Sequence, residues 1–187
     1  MLAPLVKLNS SPLLMPMFKY AFGVFLLFSS FQVRSQENEN PLKTKLYHAL
    51  VKTLIAHTIP EVRPDSIQGR EVIFLDSRAK SEFDVSRIAG ARYVGYEDFD
   101  ISKVADLPKH KEIVVYCSVS YRSEKIAEKL KEAGYTHVKN LYGGIFEWHN
   151  TGHEVVDSLG HATNKVHGYG NLWGKWLLKA EVVYDSE

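Results

Sequence analysis

The chain has 187 residues, is 45% hydrophobic and 24% charged, and carries a formal net charge of +1 at pH 7. That length and balance suit one globular domain with a full core and exclude a low-complexity chain. Near-neutral charge gives no reason to expect a nucleic-acid or anionic-membrane partner, and a single cysteine excludes an intramolecular disulfide.

The N-terminal stretch stands apart from the rest. Lys19 precedes an apolar run over 21–28, followed by Ser29-Ser30-Phe31-Gln32-Val33-Arg34-Ser35 and the polar exit Gln36-Glu37-Asn38-Glu39-Asn40. A basic residue, a short apolar run and a small residue before a polar exit match a secretory signal peptide over 1–35. The run is too short to span a bilayer as a stable helix, so no stable membrane span is expected after processing. The alternative is an uncleaved anchor. Removing 1–35 takes away Lys7, Lys19 and Arg34 and no acid, leaving 20 basic against 22 acidic residues, a formal charge of −2. The expected location is exported, periplasmic or in the cell envelope. A lone thiol kept in an oxidising compartment points to chemistry rather than scaffolding.

Pro41 opens a segment to Thr58 in which Leu42, Leu46, Ala49, Leu50 and Leu54 fall near helical spacing, predicting an amphipathic helix with those residues inward. Pro60 and Pro64 break the chain, and Asp65-Ser66-Ile67 reads as a short helical turn. Glu71-Val72-Ile73-Phe74-Leu75-Asp76 predicts a buried strand, followed by a polar helix over 79–86. Ala91-Arg92-Tyr93-Val94 predicts another short strand and 98–102 a short helix. The β-branched run Ile113-Val114-Val115-Tyr116 is a strand. A helix over 124–133 follows, with Ile126, Ala127, Leu130 and Ala133 on one face and Gly134 as its stop. His137-Val138-Lys139-Asn140-Leu141 is a further strand, and Gly143-Gly144 leads into a helix through Trp148. In the tail, Leu172, Trp173, Trp176, Leu177 and Ala180 are expected on one helical face, before a strand-like Val182-Val183-Tyr184. Alternating strands and helices predict an α/β fold, doubly wound, with a mostly parallel central sheet covered on both faces and helical extensions at both ends.

Cys117 stands where the strand over 113–116 stops and the next helix begins, beyond the carboxyl end of a strand in an open α/β sheet, where such sheets bind ligands. The loop is Cys117-Ser118-Val119-Ser120-Tyr121-Arg122. A thiolate is the nucleophilic form of cysteine, favoured by nearby cations and helix N-termini. Arg122 at a helix N-terminus opposes the macrodipole, so an anion in the loop is the better reason for its presence. Backbone N–H groups in a tight turn suit such an anion. Each residue also has a plainer reading: Cys117 as a buried small hydrophobe and Arg122 as a solvated helix residue. Asp76 and Arg78 at a strand end are supporting candidates, expected to fix neighbouring loops by hydrogen bonds and an ion pair. His149 and His153 are four apart, but Asn150, Thr151 and Gly152 interrupt the helix that would pair them, so no metal site is expected. His161 and His167 carry no ligand pattern.

From about Ser66 to Val156 the sequence resembles the rhodanese domain family. Leu75-Asp76-Ser77-Arg78 with Glu82-Phe83 and Ile88-Ala89-Gly90-Ala91 resembles the family's first motif. Tyr116-Cys117 through Arg122-Ser123 resembles its active-site loop, and Leu141-Tyr142-Gly143-Gly144-Ile145 with Trp148, Gly152 and Val155 its closing motif. The resemblance implies a domain over 65–157, between an N-terminal helical extension at 36–64 and a C-terminal extension at 158–187 that packs on the core. It implies a sulfurtransferase without metal or cofactor. Cys117 would take a sulfane sulfur from a small-molecule donor such as thiosulfate, forming a persulfide that a thiol or cyanide acceptor discharges. Ser118, Val119, Ser120, Tyr121 and Arg122 would cradle the substrate. Two departures stand out: Ser120 occupies a position where many members have glycine, and Arg87 one where histidine is usual. Serine takes positive φ at a cost, so a reshaped loop is possible there. Related cysteine-dependent phosphatases and arsenate reductases place five residues between cysteine and arginine. The four here close a tighter ring suited to one sulfur. A second reading is a non-catalytic binding or sulfur- and redox-sensing module, with an envelope protein partner engaged through the Trp173/Trp176 face.

Overall fold

The computed structural model describes residues 41–185 apart from Gln68. The expected signal peptide and its alternative, a retained anchor, lie outside the described residues. Among those described, no helix is long and apolar enough to cross a membrane.

Five parallel strands form the central sheet: β1 (Glu61–Val62), β2 (Ile73–Asp76), β3 (Arg92–Tyr93), β4 (Ile113–Tyr116) and β5 (Val138–Leu141), in the order β1-β5-β4-β2-β3. β4 is central, pairing with β2 from Ile73↔Ile113 to Asp76↔Tyr116 and with β5 from Ile113↔Val138 to Val115↔Asn140. All four of its residues are buried, as a strand covered on both faces requires. Alternate side chains go to opposite faces. Ile113 and Val115 join Leu75, Val138 and the Ile126-Ala127-Leu130 face of α3 (Tyr121–Glu132). Val114 and Tyr116 join Ile145 and Phe146 of α4 (Gly144–Asn150) and Tyr47 and Val51 of α1 (Pro41–Leu54). Each such aliphatic side chain, fully buried, contributes about 1.5–3 kcal/mol. The predicted doubly wound α/β fold with a mostly parallel sheet is therefore the observed one.

The buried face of α1 differs from the expected one. Leu42 and Leu46 are 63% and 52% exposed, whereas Tyr47, Val51 and Ile55 point inward. Spacing of the leucines alone misses a tyrosine that can bury its ring and still satisfy its hydroxyl, which donates to the carbonyl of Gly143 at 2.6 Å. The Tyr47 ring also meets that of Trp176, 5.9 Å between centroids. β1 arises within the segment expected to be an extension and forms an edge of the sheet through Glu61↔Asn140 and Val62↔Leu141.

Beyond α4, β6 (Val155–Val156) pairs antiparallel with β7 (Ala162–Thr163), and Arg87 bridges Val156. Arg87 also donates to the carbonyl of Ser158 at 3.1 Å, so the residue at this histidine position ties down the tail. The single tail helix expected through Leu172 and Ala180 is replaced by β8 (Lys165–His167), a one-turn α5 (Asn171–Gly174) and β9 (Glu181–Val183), with β8 and β9 parallel. Glycine is the reason. A side chain at Gly168 would come within 2.7 Å of Val182, and one at Gly174 would collide with Tyr184, so these glycines let β9 close on the turn. Val166 and Leu177 are buried in the core with Trp173, Trp176, Ala180 and Val182 packed against it.

Candidate active site

The loop between β4 and α3 holds Cys117, Ser118, Val119 and Ser120, all buried, while Tyr121 at the start of α3 is 43% exposed. It is fixed from below by the start of α4: Ile145 N–H donates to the Cys117 carbonyl at 2.8 Å and Phe146 N–H to that of Ser118 at 3.2 Å. Gly144 makes that approach possible. Its φ is +58°, and any side chain would run into the backbone carbonyls of Cys117 and Ser118.

Ser120 does adopt the left-handed conformation expected to be costly for serine, with φ 82° and ψ −17°. The loop is not reshaped to avoid it. Instead the Ser120 hydroxyl donates to the Leu141 carbonyl at 2.8 Å, and the Ser120 carbonyl accepts from the Asn140 side chain at 3.0 Å. Ser120 is also the N-cap of α3, and its side chain makes no capping bond there. The first N–H groups of a helix have no intrahelical partner, so those of Tyr121, Arg122 and Ser123 are left available where α3 meets the loop.

Cys117 is only 1% exposed but lines a pocket of about 170 Å³ together with Ser118, Val119, Tyr121, Arg122, Leu54, Tyr169 and Trp173. Ser123 Oγ lies 3.5 Å from its sulfur, 2.7 Å from Asn140 Oδ1 and 3.0 Å from the Ser120 carbonyl. Its one proton serves one of these at a time, so the hydroxyl can accept from a thiol or donate to a thiolate.

Arg122 does face an anion, but it is a protein one. Its Nη1 and Nη2 donate to the Glu82 carboxylate at 2.7 and 2.9 Å, and Nη2 also to Ser118 Oγ at 2.9 Å. The Ser118 hydroxyl donates to Glu82 Oε1 at 2.7 Å. Glu82 comes from α2 (Lys80–Val85), where it also accepts the Ala79 N–H at 2.9 Å. Burial raises the Glu82 pKa, but the bonds and charge of Arg122 and the charge of Arg78 outweigh it and hold the carboxyl down at about 2. Burial likewise opposes the Arg122 charge, and Glu82 and Cys117 more than restore it.

Asp76 and Arg78, the supporting candidates, are fully buried and do not line the pocket. Arg78 Nη2 donates to Asp76 Oδ2 at 2.7 Å and to the Ser86 carbonyl at 2.5 Å, while its N–H donates to Asp76 Oδ1 at 2.9 Å. The pair closes the turn after β2. His149 and His153 diverge: the first is buried in α4, and the second reaches Asp65 at 3.0 Å. Among the described residues, no three His, Cys, Asp or Glu side chains gather as a metal site.

The loop residues, Ser123 at their end included, are legible from one stretch of sequence; Glu82, Asn140, Leu54, Tyr169 and Trp173 are not. Glu82 had a signal, its place in a motif, but no partner could be given it. Leu54 and Trp173 stand in stretches expected to pack on the core, with the Trp173 face alternatively expected to bind a partner.

Residues 63–151 match the rhodanese-like domain family. A sulfurtransferase of Allochromatium vinosum is 28% identical over 103 residues, covering 52% of this chain and 95% of that protein. A tRNA uridine(34) hydroxylase of Bartonella henselae is 27% identical over 143 residues, covering 73% of this chain; the chain spans 47% of the hydroxylase's length. Among solved structures, the BH2092 protein of Bacillus halodurans aligns with TM-score 0.50 at 24% identity, covering 63% of this chain and 88% of that one. Thiosulfate sulfurtransferase of Pseudomonas aeruginosa aligns with TM-score 0.50 at 21% identity, covering 62% of this chain and 23% of the other. Both share the fold. With the parallel sheet and the loop at the end of β4, the match assigns residues 63–151 to the rhodanese-like domain family.

Proposed function

We propose that the protein is a sulfurtransferase that carries a sulfane sulfur as a persulfide on Cys117. The observation that supports this most directly is the setting of Cys117, which lines a pocket at the end of β4 beside the N–H groups that open α3. The Cys117 thiolate attacks the outer sulfur of a donor; the donor's sulfur–sulfur bond breaks and its electron pair leaves with the remainder. The persulfide anion lies against the N–H groups of the loop, and Ser123 Oγ is in reach of the sulfur position. A thiolate or cyanide then attacks the outer sulfur and regenerates Cys117. Arg122 and Glu82 act as a neutral clasp that holds the Ser118 hydroxyl and so the loop.

The relative from Allochromatium vinosum, named a sulfurtransferase and matched over nearly its whole length, supports the reading. The test is intact-mass measurement after incubating the purified protein with sulfane-sulfur donors. Wild type is expected to gain one sulfur and Cys117→Ser none. The near-complete burial of Cys117 favours a second reading, a sulfur- or redox-sensing module without turnover. It prevails if the protein takes up sulfur but passes none to cyanide or thiols. Export rests on the residue pattern before Gln36, and N-terminal sequencing of the mature protein checks it.

A further inference from the structure

Three of the residues around Cys117 lie outside the stretch that matches the family. Leu54 ends α1, and Tyr169 and Trp173 come from the tail, whereas the match covers 63–151. The tail is placed with some care. Tyr169 is held at φ 61°, a left-handed conformation unfavourable for an aromatic residue. Its N–H donates to His167 Nδ1 at 3.0 Å, and its ring lies under the Arg122 guanidinium, 4.6 Å from Cζ to the centroid.

This rim gives the pocket a chemical character. Leu54, Tyr169 and Trp173 join Val119 and Tyr121 in an apolar and aromatic lining, and the pocket is smaller than the roughly 300–1,000 Å³ usual for drug-sized ligands. Among the described residues, Arg122 is the one charged residue lining it, and the bidentate bond to Glu82 already neutralises that charge. A compact dianion such as thiosulfate would lose its hydration there without gaining an unpaired cation. A monoanion with an apolar body keeps the sulfur on the loop N–H groups and buries the remainder against the rim.

Resting on the sulfurtransferase reading, we infer that Leu54, Tyr169 and Trp173 select a small organic sulfane-sulfur donor carrying an apolar or aromatic group in preference to thiosulfate. For a thiosulfonate, R–SO₂–S⁻, the Cys117 thiolate attacks the terminal sulfur. The sulfur–sulfur bond breaks, its electron pair leaves with the sulfinate R–SO₂⁻, and Cys117–S–S⁻ remains. Charge and atoms balance without an outside oxidant or reductant.

The experiment compares kcat/KM of the full chain for benzenethiosulfonate, methanethiosulfonate and thiosulfate, with cyanide as acceptor, in wild type, Leu54→Ala, Trp173→Ala and Trp173→Phe. Since each buried methylene-sized group is worth about fourfold in binding, the ring should give benzenethiosulfonate an advantage of about tenfold or more over methanethiosulfonate. Thiosulfate should be the poorest donor. Trp173→Ala and Leu54→Ala should each shrink the benzene-to-methane ratio severalfold, and Trp173→Phe should retain most of it. A ratio near one in wild type, which needs no variant to fold, overturns this inference and leaves sulfur transfer standing. So does a ratio that the alanine variants leave unmoved. Failure of wild type to form a persulfide with any of the three donors overturns the sulfurtransferase reading, and this inference with it.

Discussion

β2 and β4 are parallel neighbours paired to their last residues, Asp76 opposite Tyr116, and each is followed within six residues by an arginine bound to a carboxylate. After β2 the pair is Asp76–Arg78, two residues apart, with both side chains 0% exposed. After β4 it is Glu82–Arg122, drawn from two helices, with Arg122 bordering the pocket. The first pair closes one turn on itself; the second clamps the Cys117 loop to α2. The same ionic chemistry, placed at adjacent strand ends, therefore does two jobs, and what separates them is whether the pair touches the pocket.

The largest effect should come from the sealed pair. Asp76→Asn keeps the shape but leaves the Arg78 charge uncompensated in the core, where Arg78 Nη1 already has no hydrogen-bond partner among the described residues. Removing one partner of a buried pair costs about 3–5 kcal/mol, which urea denaturation would register as a large fall in the midpoint. Persulfide formation by the protein that remains folded should then fall only with the folded fraction. A loss of loading well beyond that fraction would erase the distinction between the two loops.

The pair at the pocket should reveal itself through pH. Glu82 is held at about 2 in the folded protein against an ordinary value of 4.5. A carboxyl depressed on folding contributes stability above its unfolded value, and that contribution is lost as pH falls through its folded value. Stability on the order of 2–3 kcal/mol should thus drain away between pH 4.5 and about 2. Urea denaturation across that range measures it. Glu82→Gln should flatten this part of the profile, and an unchanged slope in the variant would assign the acid sensitivity to other carboxyls.

What could be read in the sequence follows the same division. The strand at 113–116, the inward face of α3 and the Cys117–Arg122 spacing all lie within single contiguous stretches, where local pattern is sufficient. The Asp76–Arg78 turn is legible for the same reason. Glu82 meets Arg122 across 40 positions, a partnership that only the folded sheet creates. Leu54 and Trp173 reach the pocket from opposite ends of the described chain. The alternation of leucines in α1 points to the wrong face because a tyrosine with a bonded hydroxyl, Tyr47, fills the interior better. In the tail, helical spacing loses to Gly168 and Gly174, which allow β8 and β9 to pair.

The smallest expected effect falls on Ser120 and tests how the β4 loop bears its strain. A side chain at φ 82° costs about 1–2 kcal/mol, and the hydroxyl bond to Leu141 returns about 0.5–1.5 kcal/mol. Ser120→Gly relieves the first and loses the second, and it also gives the unfolded chain more freedom, so its stability should stay within about 1 kcal/mol of wild type. Ser120→Ala keeps the strain and loses the bond, and should cost about 1 kcal/mol. The order wild type, glycine, alanine in urea midpoints is thus nearly level for the first two and lower for the third. If alanine matched wild type, the hydroxyl would contribute nothing and the left-handed turn would be held by Asn140 and α4 alone. The β4 loop would then resemble the β2 loop in being fixed by its surroundings, and serine would be as free to vary there as glycine.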